Sequence, residues 1–166
     1  MSYKTFRIFL VLFLSFSTLQ TIQAQKRANV KNPGFSITAG YAEQITSRIE
    51  DSKGFHIGAN LYKDNAENLS YDAMLALNVV DGSSNVIVPL SLIGIRYYLT
   101  SNENQTRIFA NALAGFAMEV KQERGDTETK PDLGYSAGIF VEGKNLLLGV
   151  SIENPEVIVL KLGVVF

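Results

Sequence analysis

Apolar and polar residues alternate along most of the chain with the two-residue period of a β-strand. The last segment is the clearest case: from Ile158 to Phe166 every second residue is apolar, while Lys161 and Gly163 lie in the other phase. Seven further segments alternate in the same way and are separated by short runs rich in Gly, Asn, Asp and Ser. The predicted strands cover residues 34–45, 54–63, 69–80, 86–100, 106–120, 133–143, 145–153 and 157–166.

The two phases differ in composition. One is apolar and uncharged, as at Leu75, Ile95 and Leu148, whereas the other is rich in Gly, Ser, Ala and Asn. Either a soluble barrel that buries the apolar phase or a membrane barrel that turns it to lipid would give this sorting. A solvated face would carry more Lys and Glu, and small polar residues suit the inside of a narrow barrel. The sequence therefore predicts an all-β fold, an eight-stranded antiparallel up-and-down transmembrane β-barrel.

The first 24 residues have the pattern of a secretory signal peptide. Lys4 and Arg7 precede an apolar run from Ile8 to Phe16, and cleavage is expected after Ala24. A membrane anchor is the alternative, but the apolar run is shorter than the ~20 residues that span a bilayer. The predicted organisation is a signal peptide over 1–24, a short lead over 25–33 and an outer-membrane barrel domain over 34–166.

The final strand predicts the destination of the protein. Outer-membrane barrels close on a last strand with a terminal aromatic residue, and here Leu162, Val164 and Phe166 have the matching alternation. We expect these three residues to act as the assembly signal. The expected partners are then the lipid bilayer and the outer-membrane assembly machinery, and the expected location is the cell outer membrane.

Composition excludes several classes of function. The chain has 15 Lys and Arg against 16 Asp and Glu, and the signal segment holds two of the cations, so the mature chain carries a net charge of about −3. A nucleic-acid partner, which needs a basic patch, is not expected. With no cysteine and one histidine, neither a disulfide framework nor a thiolate or His-rich metal site is available, and no cofactor is predicted.

Three strand motifs resemble the Bacteroidetes outer-membrane β-barrel family known as PorT-like, the outer membrane protein beta-barrel domain. Val88 to Leu99, V-P-L-S-L-I-G-I-R-Y-Y-L, resembles its proline-led strand with paired aromatics. Gly54 to Gly58, G-F-H-I-G, and Ala112 to Gly115, A-L-A-G, resemble two further strands, although Phe116 follows where the family has proline. The resemblance implies the fold and the outer-membrane location. It implies no activity, because the family is functionally mixed.

Charged residues in the polar phase would lie inside the barrel. An unpaired charge in a dry interior is costly, so we expect a lumenal ion network with a structural role. Arg96 is expected near Asp72 and Glu142, and Lys161 near Glu119 and Glu153. The members of the network are Asp72, Arg96, Glu119, Glu142, Glu153, Lys161 and His56. A filled, plugged lumen is the preferred interpretation, with an ion path or gate as the alternative.

His56 also raises the question of a hydrolase. Such an enzyme needs a nucleophile and an acid within hydrogen-bond reach of the histidine, and Ser36 or Thr38 with Glu119 are conceivable. Nothing in the spacing singles these residues out, so the prediction is that the protein is not an enzyme.

The segment from Lys121 to Asp132 is the most charged of the predicted extracellular loops, which also include residues 46–53, 81–85 and 154–156. It is either a solvated hairpin tip or a contact surface for a protein, a polysaccharide or an ion. The candidate contact residues are Lys121, Glu123, Arg124, Asp126, Glu128 and Lys130.

Three hypotheses for function follow. The first is a small outer-membrane barrel with a filled lumen, a structural or interaction role and no catalysis. The second is a small-solute channel or transport component. The third is a secreted, lipocalin-like soluble barrel that binds an apolar ligand.

Overall fold

The computed structural model describes residues 33–45, 52–64, 68–81, 85–100, 106–123 and 126–166. These residues form a closed antiparallel barrel in which each strand pairs with the next and β8 pairs with β1, so the predicted fold is confirmed. The strands are β1 Gly34–Gln44, β2 Lys53–Asp64, β3 Leu69–Asp81, β4 Asn85–Tyr98, β5 Arg107–Glu123, β6 Asp126–Glu142, β7 Leu146–Glu153 and β8 Val157–Val165. The predicted signal peptide and nearly all of the lead lie outside the described residues, as do residues 46–51 and 82–84 of two predicted loops.

The alternation in sequence becomes an inner and an outer face. The outer face carries the large apolar side chains, with Ile93 72% exposed and Leu162 60% exposed. The inner face buries polar residues such as Arg96, which is 1% exposed. An apolar outside around a polar inside is typical of a barrel whose outer solvent is lipid. Among the described residues, no helix is both long enough and apolar enough to cross a bilayer.

The predicted loop from Lys121 to Asp132 is wrong, because β5 and β6 continue through it as a hairpin that pairs as far as Glu123 and Asp126. The charges that favoured a loop lie opposite one another in the ladder, with Lys121 across from Glu128 and Glu119 across from Lys130. Opposite charges in directly paired positions stabilise a ladder. We call residues 117–123 and 126–132 the projecting hairpin.

The wall of the barrel is taller on one side. β5 is flanked by β4 up to the pair of Asn85 and Gln122, whereas β6 pairs with β7 only from Ser136 onward. Residues 126–135 of β6 therefore extend beyond β7. The end of the barrel that carries the projecting hairpin is called the hairpin end. The opposite end holds the start of β1 and the last residue of β8, and is called the terminal end.

Pro89 interrupts one ladder without adding a residue. β4 pairs with β5 at Ile87 and again at Leu90 in the same register, but the two residues between them are unpaired on that side. Proline has no N–H to donate to a ladder. The interruption is therefore local and does not bulge the strand.

Among the described residues, three apolar clusters lie between the polar groups of the lumen. The one at the terminal end is Tyr98, Phe109, Phe140 and Leu147. The largest lies against β3, β4 and β5 and comprises Met74, Val88, Leu90, Leu92, Leu113 and Ala117. The third lies at the hairpin end and comprises Ala42, Val80, Val157 and Val159.

Candidate functional site

A buried arginine organises the terminal end of the lumen. Arg96 on β4 donates from Nη2 to Oδ2 of Asp72 at 3.0 Å and from Nη1 to Oε2 of Glu142 at 3.2 Å. Its guanidinium carbon lies 3.7 Å from the ring centroid of Tyr62 and 4.1 Å from that of Phe109. Charge pairing and cation–π contacts together satisfy a cation that is 1% exposed. We call this set the Arg96 cluster.

Arg107 joins this cluster, and the sequence analysis missed it. Arg107 hydrogen-bonds Glu142, and its guanidinium carbon lies 4.3 Å above the Tyr98 ring. It stands in the same phase of β5 as Asn111. This inward-facing phase could have predicted a lumenal position for Arg107. However, a cation at the first residue of a strand is also typical of a strand end exposed to solvent. Glu142 thus lies between two arginines.

A second polar cluster lies toward the hairpin end. Lys161 of β8 hydrogen-bonds Glu153, whose other oxygen lies 3.1 Å from Nδ1 of His56. The same Nδ1 lies 2.7 Å from Oδ1 of Asn78, and Nε2 lies 3.2 Å from Oγ1 of Thr38. Because Nδ1 faces two acceptors it carries a hydrogen. The Thr38 hydroxyl also donates to the Gly58 carbonyl at 3.4 Å. We call this set the Glu153 cluster.

Thr38, His56 and Glu153 have the order of a nucleophile, a base and an acid. However, Thr38 is 1% exposed, and both His56 and Glu153 are 0% exposed. The three side chains therefore form a fully buried, hydrogen-bonded set inside the lumen. The structure brings Thr38 to His56, while the acid at the ring is Glu153 and not Glu119.

Glu119 is corrected as a member of the lumenal network. Its Oε1 lies 3.0 Å from Nζ of Lys121, and it is 22% exposed. β5 carries Glu119 past Ala117 into the projecting hairpin, above the lumenal stretch of the strand. The two-residue alternation of β5 predicts which face of the strand Glu119 lies on. It does not predict how far along the barrel axis the side chain lies.

A small cavity separates the two polar clusters. It is about 10 Å³ in volume, which is room for roughly one water molecule. Its polar lining is Thr38, Asn60, Arg96, Asn111 and Lys161. Within the described part of the barrel, this cavity touches both clusters, at Arg96 on one side and at Thr38 and Lys161 on the other. Across all the described residues, no group of three or more His, Cys, Asp or Glu side chains is placed to hold a metal ion.

The charges of the projecting hairpin pair with one another. Besides the contact of Lys121 with Glu119, Nζ of Lys130 lies 2.9 Å from Oε1 of Glu128. The hydrogen bond from Lys130, followed by its charge, lowers the pKa of the Glu128 carboxyl. Asp126 is exposed at the start of β6. Glu123 pairs with Asp126 in register, and Arg124 lies outside the described residues.

Asn154 connects the turn between β7 and β8 to the projecting hairpin. Its Oδ1 accepts from the Tyr135 N–H at 2.7 Å, and its Nδ2 donates to the Leu133 carbonyl at 3.1 Å and to Oδ2 of Asp132 at 3.2 Å. The Asn154 carbonyl accepts from Nδ2 of Asn78 at 2.8 Å. Neither asparagine was predicted to connect these elements, because amides are common in turns and in barrel interiors and carry no charge that demands a partner.

The residues expected to signal assembly lie on the outer face of β8 and at its end. Leu162, Val164 and Phe166 are all exposed. Phe166 donates its N–H to the Phe35 carbonyl at 2.8 Å, and the two rings lie 5.9 Å apart. Their use as an assembly signal stays a prediction.

The fold is similar to that of two solved outer-membrane barrels. Neisserial surface protein A from Neisseria superposes with a TM-score of 0.62 at 13% identity, over 80% of this chain and 95% of that one. The N-terminal β-barrel domain of OprF from Pseudomonas aeruginosa superposes with a TM-score of 0.51 at 8% identity, over 80% and 96%. No protein-family model matches the sequence, and no curated protein matches it significantly. The chain thus has the fold of small eight-stranded outer-membrane barrels.

Proposed function

We propose that this chain is a small outer-membrane β-barrel protein with a filled lumen and a structural or interaction role, without catalysis. The observation that carries the proposal is the contrast between the packed lumen and the exposed, charged projecting hairpin. The lumen is packed around the Arg96 and Glu153 clusters, with room for about one water molecule between them. The projecting hairpin, in contrast, offers exposed charged side chains beyond the end of β7.

The proposed location is the cell outer membrane, reached through the predicted signal peptide over residues 1–24. The apolar outer face supports this location, and the lipid bilayer is the first proposed partner. The outer-membrane assembly machinery is the second, acting on Leu162, Val164 and Phe166. The three strand motifs support membership of the Bacteroidetes PorT-like family, which we retain as part of the proposal.

The proposed contact surface is the projecting hairpin, for a protein or polysaccharide partner. Its candidate residues are those of the charged segment: Lys121, Glu123, Arg124, Asp126, Glu128 and Lys130. Acidic and basic side chains pair within the hairpin, as Lys130 does with Glu128, so its field is weak at long range. Recognition at this surface would depend on short-range hydrogen bonds more than on electrostatic steering.

The two other hypotheses require features that the described residues do not provide. A small-solute channel needs an open path, whereas Arg96 lies between the Tyr62 and Phe109 rings across the lumen. A lipocalin-like barrel needs an apolar internal cavity, whereas the small cavity between the clusters has Lys161, Asn60 and Asn111 in its lining.

One experiment tests the proposal against both alternatives. The full-length protein is expressed, fractionated, run unheated and heated on a gel, and then reconstituted into planar bilayers beside a general porin as a positive control. We expect an outer-membrane fraction, a heat-dependent shift in migration and no conductance steps. Stepwise conductance would establish the channel hypothesis instead, and a soluble periplasmic protein with no shift would establish the soluble barrel.

A further inference from the structure

The upper part of β6 has no strand beside it on one edge. Among the described residues, β6 pairs with β7 only from Ser136 onward, so the stretch from Asp126 to Tyr135 is paired on the β5 side alone. Backbone groups on such an edge turn away from the sheet and need other partners. On this edge, side chains must therefore provide the hydrogen-bond partners that a neighbouring strand would provide.

Asn154 supplies two of those partners, at the end of the stretch next to Ser136. Its amide accepts from the Tyr135 N–H and donates to the Leu133 carbonyl, the two groups that a neighbouring strand would bond. A third bond, from Nδ2 to Asp132, reaches the last residue of the projecting hairpin. Asn154 itself is 4% exposed.

Asn78 connects Asn154 to the lumen. Its Nδ2 donates to the Asn154 carbonyl at 2.8 Å and to Oε2 of Glu153 at 3.1 Å. Its Oδ1 lies 2.7 Å from Nδ1 of His56. Asn78 is 0% exposed. A continuous set of hydrogen bonds thus runs from Lys161 through Glu153 and Asn78 to Asn154, and from there to β6.

We propose that Asn78 and Asn154 are positioning residues that couple the Glu153 cluster to the projecting hairpin. The arrangement of charges in the lumen then sets how firmly the hairpin is held above the barrel mouth. If the hairpin is the contact surface proposed above, its presentation to a partner is regulated from inside the barrel. That last step rests on the proposed function, whereas the coupling itself does not.

The test is amide hydrogen exchange on the full-length protein in detergent micelles, with no partner present. Asn154→Ala removes the direct bonds to β6, and Asn78→Ala removes the connection behind them together with the contact to His56. Asn111→Ala is the matched control, since Asn111 is also a buried lumenal asparagine but lines the cavity next to the Arg96 cluster. The heat-dependent gel shift verifies that each variant forms a closed barrel, and Asn78→Ser replaces Asn78→Ala if the latter fails to fold.

We expect Asn154→Ala to speed exchange at the Tyr135 amide and its neighbours in β6 by about fivefold or more, the change that loss of one typical hydrogen bond gives. Asn78→Ala should speed exchange at the same amides although it does not touch them, with β1 and β8 unchanged. Asn111→Ala should leave them as in the wild type. Unchanged exchange at these β6 amides in the Asn78 variant would overturn the coupling, as would a uniform increase across the barrel, which is the signature of a merely structural role.

A separate measurement distinguishes failure of the coupling from failure of the proposed function. Wild-type and Asn78→Ala cells are compared for retention on immobilised extracellular protein and polysaccharide. Altered exchange without any retention by either cell type would leave the coupling standing and contradict the contact role of the hairpin. Retention that is equal in both, with altered exchange, would show that the coupling does not regulate binding.

Discussion

Asparagine side chains make the long connections inside this barrel. Nδ2 of Asn60 donates to Oδ1 of Asp72 at 3.0 Å, which adds a neutral donor to the carboxylate that pairs with Arg96. Asn78 spans Glu153 and the Asn154 backbone in the same way. An amide offers a donor and an acceptor at one position, so it can bridge a charged group to a neutral one. The carboxylates of the ion pairs thus also accept hydrogen bonds from neutral amide side chains.

The pair of Glu153 and Lys161 allows a test of how much a lumenal charge depends on its partner. Glu153→Gln leaves Lys161, 2% exposed, without its carboxylate, and we expect about 3–5 kcal/mol of destabilisation, the cost of a buried unpaired charge. Glu153→Gln combined with Lys161→Met should cost clearly less, since no charge is stranded. Urea titration of the fast-migrating folded band measures both.

The control for this comparison is Lys144→Met in the exposed turn between β6 and β7, which should lie within about 0.5 kcal/mol of the wild type. If the double variant is as unstable as the single one, shape and hydrogen bonding at this position matter more than charge pairing.

The sequence predicted several of the lumenal ion pairs, but it placed Glu119 wrongly and did not predict the contacts of Arg107 or of the amides. Strand phase placed Arg96 near Asp72 and Glu142, and in the structure both carboxylates contact it. Charged residues narrow the choice because each one needs a partner when it is buried. Asn78 and Asn154 impose no such demand in a sequence, and their partners depend on register across non-adjacent strands.

Most of the secondary structure could be predicted from the sequence, because each strand has one face in an apolar environment and one in a polar environment. The eight strands and their inner and outer faces follow from a two-residue period. The projecting hairpin was predicted to be a loop, because a loop and a solvent-exposed pair of strands can have the same charged composition. What distinguishes them is cross-strand pairing, such as Lys121 opposite Glu128, and this becomes visible only when the register is known.

The outer face of the strands gives a prediction about assembly. Leu75 lies midway along β3 and is 50% exposed on the apolar side. Leu75→Arg should cost about 2–4 kcal/mol if that face contacts the bilayer interior, and should reduce the heat-shifted folded form in the outer membrane. Thr129→Arg is the matched control, because Thr129 lies in the outer phase of β6 but in the projecting hairpin. Equal assembly of both variants would contradict the assignment of the outer face to lipid.

At the scale of the whole molecule, the two ends of the barrel are built differently. The terminal end is closed by stacked aromatic rings, with the centroids of Phe109 and Phe140 5.1 Å apart, around the Arg96 cluster. At the hairpin end, one side of the wall rises beyond the opposite side. An even number of antiparallel strands places both ends of the barrel sequence at the terminal end, so the projecting hairpin and that end face opposite sides of the membrane.

This asymmetry gives a test of orientation on intact cells, and the absence of cysteine from the chain makes it unambiguous. Thr129→Cys places a thiol in the projecting hairpin, and Lys144→Cys places one in the exposed turn between β6 and β7 at the terminal end. A maleimide too large to pass the outer membrane should label Thr129→Cys and spare Lys144→Cys, while lysed cells should label both. Labelling of Lys144→Cys alone would show the opposite orientation, with the hairpin in the periplasm. A contact role would then involve periplasmic partners. Equal labelling of both in intact cells would mean that the barrel does not separate the two compartments, which contradicts a membrane-spanning position for the entire molecule.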